Sequence, residues 1–115
     1  MIGTKVAITG IGIVSPHGTD PDLMFDALLR GESAIRHLDL ESPIGAFSAV
    51  GASVPETVHI EVPRRFHATS DRISLYALAA ADSALRDSGI DLETLNRNRI
   101  GVAVGTSLGG CASQE

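Results

Sequence analysis

The sequence predicts an α/β fold: a sheet of parallel-type strands covered by helices, of which these 115 residues form the front part. Two observations carry that prediction. Residues 6–14 and 100–104 are short, β-branched and almost continuously apolar, the pattern of strands buried on both faces. Between them lie two segments with apolar residues at helical spacing, each opened by an aspartate and closed by a glycine.

The first strand, Val6-Ala7-Ile8-Thr9-Gly10-Ile11-Gly12-Ile13-Val14, is broken by Ser15-Pro16-His17-Gly18. Asp20 ahead of Pro21 is an N-cap followed by proline at the first helical position, and Leu23, Ala27 and Leu28 share a face. Gly31 supplies the left-handed residue that ends a helix expected over 21–30. Residues 32–68 are punctuated by Pro43, Gly45, Gly51, Pro55 and Pro63, and only residues 46–54 carry a strand pattern. Connections beyond about 12–15 residues are uncommon in compact domains, so a short strand and a layer of surface loops are expected there.

Residues 71–88 give the clearest helix. Ile73, Tyr76, Ala77, Ala80, Ala81, Ala84 and Leu85 repeat at helical intervals, and Gly89 stands ready to close the last turn. Leu75 and Leu78 widen the apolar arc, so the helix is expected to be buried on most sides, with its alanines letting a neighbour approach closely. Asn98-Arg99 leads into the second strand, Ile100-Gly101-Val102-Ala103-Val104, which ends in the turn Gly105-Thr106-Ser107-Leu108-Gly109-Gly110. Two strands, one weaker strand and two helices do not close a doubly covered sheet, for which about 5–6 strands are usual. Residues 111–115 read as the start of a further helix. The chain is therefore expected to be part of a larger α/β domain.

Composition excludes several classes. With 43% hydrophobic and 20% charged residues the chain has the apolar material for a core, which excludes intrinsic disorder. A net charge of −5, three Phe, one Tyr and no Trp give neither a basic footprint nor stacking platforms for nucleic acid. The single cysteine, Cys111, forms no intrachain disulfide or zinc cage, which suits a reducing compartment. The first residues lack a basic segment followed by an apolar one, and no apolar run approaches the roughly 20 residues of a membrane span. A soluble, cytoplasmic protein is expected, with no metal, cofactor, nucleic acid or membrane partner.

Three motifs invite chemical readings. Gly10-Ile11-Gly12 after a strand suggests dinucleotide binding, but Ser15 stands where the third glycine belongs, and Pro16 and Gly18 separate the loop from the next helix. Close backbone packing at the end of a buried strand is the favoured explanation. The span from Gly105 to Gly110 has the two glycines of a phosphate-binding loop, yet Cys111 and Ala112 replace its lysine and hydroxyl residue. A glycine turn at the carboxyl end of such a strand is still where ligands lie in α/β sheets. Cys111 has the position of an activated thiol at a helix start but needs a histidine base, and His17, His37, His59 and His67 are not spaced to supply one. A small buried residue is favoured. Asp20, Asp22 and Asp26 read as a cap and a solvated face.

Taken in order, these segments resemble the β-ketoacyl-acyl-carrier-protein synthases of the elongating type. Val6 to Gly18 resembles their opening strand and turn, and Ala27-Leu28-Leu29-Arg30-Gly31 the end of the helix that follows. Asp71-Arg72-Ile73-Ser74-Leu75-Tyr76-Ala77-Leu78-Ala79-Ala80-Ala81 with Asp87-Ser88-Gly89 is similar to their central helix, and Arg99 to Gly110 to the next strand and glycine turn. The resemblance implies a thiolase-like fold, five-layered in the full protein, of which residues 1–115 are the incomplete front of the first half, and a homodimer or a heterodimer with a related subunit. It implies decarboxylative Claisen condensation with acyl and malonyl carrier protein, in fatty-acid or polyketide synthesis. The family's cysteine and two histidines belong to motifs past residue 115, so no catalytic residue is assigned here. One substrate-binding residue is carried over: Leu108 matches a bulky apolar position lining the acyl pocket, although spacing alone favours a core role. Two other readings stand beside this one. Non-catalytic chain-length factors share the opening motifs without the cysteine, and a free-standing α/β ligand-binding domain would fold cooperatively by itself.

Overall fold

The computed structural model describes residues 3–107 and 109, and the chain divides into two units, residues 13–59 and residues 1–12 with 60–115. In the first unit the Ser15-Pro16-His17-Gly18 break is a tight turn. Ser15 and Gly18 exchange both backbone hydrogen bonds at 2.9 Å, while Gly18 takes φ +117°. The buried Ser15 Oγ accepts from His17 N at 3.2 Å and donates to Gly18 O at 3.0 Å, so its polar atom is satisfied. Helix α1, Pro21–Leu29, starts as expected: Asp20 accepts from Asp22 N and Leu23 N at 2.9 and 3.1 Å, and Pro21 opens the first turn. Gly31 at φ +70° ends it, with Gly31 N donating to Leu28 O and Glu32 N to Ala27 O, the paired bonds of a Schellman motif.

Residues expected to be mostly loop instead form a hairpin. Strands β1, Arg36–Ser42, and β2, Gly45–Gly51, pair antiparallel around Pro43 and Ile44, and Gly45 at φ +123° makes the reversal. The expected strand within 46–54 corresponds to β2; its partner β1 is an addition. Register places Leu38 opposite Ala49 and Leu40 opposite Phe47 on one face, with His37, Asp39 and Glu41 on the other. Alternation along β1 and a turn at Pro43 specify this pairing.

In the second unit a short helix α2, Arg64–His67, precedes α3, Arg72–Ser88. Asp71 caps α3 by accepting from Ser74 N at 2.8 Å, and Gly89 closes it at φ +63°. Its small residues receive a close backbone contact from residues 10–12. A Cβ on Gly10 would lie 2.1 Å from Ala84 O, and one on Gly12 would lie 2.0 Å from Ala80 O. Ala80, Ala84 and Ser88, spaced four apart on one face, therefore form a bare strip of helix against which residues 10–12 lie. Ile11 N donates to Asp87 Oδ2 at 2.9 Å along the same contact.

Two expectations need correction. Residues 6–14 and 100–104 are not strands; among the described residues the hairpin is the one sheet, so the layered parallel sheet is absent from them. A strand of the doubly buried kind is held by ladder partners on its edges and helices on its faces. The described residues give 6–12 a helix but no ladder partner, and Val6, Ile8, Val102 and Val104 remain 78–90% exposed. Helix α3 is likewise not buried on most sides: residues 10–12 lie on one strip, but none of its residues is buried and Ile73, Leu78 and Leu85 stay 50, 39 and 42% exposed.

Candidate functional site

The glycine turn after residues 100–104 is the candidate site the sequence singles out. It is approached through a 3-10 turn, Arg97–Arg99, capped by Asn96, whose Oδ1 accepts from Asn98 N at 3.1 Å. Within the turn, Thr106 packs on Gly109: a Cβ there would meet Thr106 Oγ1 at 2.8 Å. Gly105 has open space around it. Leu108, the one predicted substrate-binding residue, lies outside the described residues, as does Cys111.

The alternative chemistries lose their geometry. The Gly10-Ile11-Gly12 segment is occupied by α3, and the Ile11 N–H that a pyrophosphate would need is already donated to Asp87. The packing explanation of these glycines is the one the structure displays. The four histidines are dispersed. His17 sits in the first unit's turn, His37 opposite Val50 on the hairpin and His59 at that unit's end, whereas His67 Nε2 lies 3.1 Å from Val62 O in the second unit. Among the described residues no three of His, Cys, Asp and Glu gather as a metal site.

Two features escaped sequence reasoning. Nothing in the spacing of Asp87 announces a bond to an amide 76 positions away. The second is an open groove of about 620 Å³, with Val62, Pro63, Phe66 and Leu78 as its apolar lining. Arg65 lies over the Phe66 ring at 4.7 Å, and Arg86 holds the rim carboxylates Glu61 and Asp82 at 3.2 and 2.7 Å. Proline at 63 and the four-residue length of α2 hid the aromatic side of this groove from periodicity, which needs longer windows. In the other unit the exposed Arg30 guanidinium hydrogen-bonds Glu32 at 2.6 Å, which lowers the Glu32 pKa and raises that of Arg30.

Comparison with known proteins gives these features a context. Residues 3–115 match the family model described as Beta-ketoacyl synthase, N-terminal domain. The chain is 36% identical to the putative polyketide beta-ketoacyl synthase 1 of Streptomyces cyaneus, over 96% of this chain and 26% of that protein. It is 34% identical to the 3-oxoacyl-[acyl-carrier-protein] synthase 2 of Coxiella burnetii, over 92% of this chain and 26% of the relative. The alpha and beta ketoacyl synthase subunits of the tetracenomycin polyketide synthase of Streptomyces glaucescens match at 33% and 34%, each over 91% of this chain and about a quarter of their own length. The chain thus spans about a quarter of the length of the curated relatives it matches. No solved structure matches it.

Proposed function

Since the chain belongs to the β-ketoacyl synthase family and matches its amino-terminal domain, we propose that the protein carrying it is an elongating condensing enzyme of fatty-acid or polyketide synthesis. The observation that carries this reading is the continuity of the match from residue 3 to residue 115. In the proposed reaction a cysteine thiolate attacks the acyl thioester of a carrier protein, forming an acyl-enzyme and releasing the carrier thiol. Two histidines then assist loss of CO₂ from malonyl-carrier protein. The carbanion so formed attacks the acyl carbonyl and expels the cysteine, leaving a β-ketoacyl-carrier protein two carbons longer. All three residues belong, in this proposal, to family motifs past residue 115. This segment contributes framework through the residue 10–12 contact with α3, and one wall of the acyl pocket through Leu108.

A thiolase-like fold accompanies family membership, and the front of its first half is the portion assigned to residues 1–115. The exposure of Val6, Ile8, Val102 and Val104 supports an incomplete domain over a free-standing one. Acyl and malonyl carrier proteins are the proposed partners, with a second subunit, identical or related, completing a dimer. The cytoplasm is the proposed location; no described helix is long and apolar enough to cross a membrane. A non-catalytic, chain-length-factor role is the second reading, since the chain matches the alpha and beta ketoacyl synthase subunits of one polyketide synthase about equally, at 33% and 34%, and so does not separate the two roles. Incubating the full-length protein with acyl- and malonyl-carrier protein tests the proposal. A β-ketoacyl product is expected; its absence, with product restored only on adding a separate synthase subunit, would leave the second reading.

A further inference from the structure

We draw no further inference here: the strongest candidate, the open groove between α2 and α3 lined by Val62, Pro63, Phe66 and Leu78, is an unpartnered apolar face, and nothing in the structure shows what covers it.

Discussion

Replacing Gly12 by alanine perturbs the closest approach that an added Cβ would make at any described glycine. The added Cβ would sit 2.0 Å from Ala80 O, 2.7 Å from Ala84 N and 3.0 Å from Ala80 C, all of them backbone atoms of α3. Ordinary contact requires a separation of about 3.4 Å, so residues 10–12 must retreat by more than 1 Å. A helix backbone does not yield as a side chain would, and trimming Ala80 to glycine leaves the obstructing carbonyl in place. Retreat stretches the 2.9 Å bond from Ile11 N to Asp87 Oδ2 beyond use and opens a gap along the Ala80, Ala84 and Ser88 strip. Overpacking costs about 1–3 kcal/mol and a lost charge-assisted hydrogen bond about 1 kcal/mol at an exposed site, so a destabilisation near 3 kcal/mol is expected. Denaturant unfolding of the full-length protein measures it, with Gly3→Ala as control because a Cβ at Gly3 meets nothing within 4 Å. Hydrogen exchange at the Ile11 amide localises the effect. A Gly12→Ala protein as stable as the control, or one rescued by Ala80→Gly, would refute the argument.

Other outcomes follow from the same structure. Residues 1–115 alone are expected to bind a hydrophobic dye and to melt without a sharp transition: Val6, Ile8, Val102 and Val104 are 78–90% exposed, and burying such side chains is worth about 1.5–3 kcal/mol each, comparable in sum to a domain's whole stability. A sharp calorimetric transition would contradict that. The same segment, mixed with acyl- and malonyl-carrier protein, is expected to yield no β-ketoacyl product, and turnover abolished by Cys111→Ser would overturn the assignment of that thiol. Glu32 is expected to titrate below an ordinary glutamate because Arg30 hydrogen-bonds its carboxylate. Its small stabilising effect is then present above the unfolded-state pKa and lost as pH falls through the folded-state value. NMR titration of the Glu32 side chain checks this, with Arg30→Ala expected to restore the ordinary pKa.

Local signals in the sequence were read correctly where the physics is local. Asp20, Gly31, Asp71 and Gly89 are capping residues whose bonds close within one helical turn, and each acts as its type dictates. The small residues of α3 announced a close neighbour, and residues 10–12 fill that role. Long-range pairing was less legible. Residues 6–14 and 100–104 have the composition of buried strands, but a strand exists only with a partner, and the described residues offer none. β1 was not legible because prolines and glycines punctuate residues 32–68, although Leu38 and Leu40 alternate with His37, Asp39 and Glu41 and pair with Ala49 and Phe47. At the candidate site the glycines of the turn were evident, whereas the steric reason for Gly109 depends on where Thr106 points, which composition does not reveal.

Mapping the acyl group on the acylated enzyme tests the central claim most directly. The full-length protein is incubated with an acyl-carrier-protein donor, digested, and its peptides weighed by mass spectrometry. The account predicts one acyl thioester on a cysteine beyond residue 115, with every peptide from residues 1–115 unmodified. An acyl group on Cys111, or a protein that takes no acyl group at all, would contradict it.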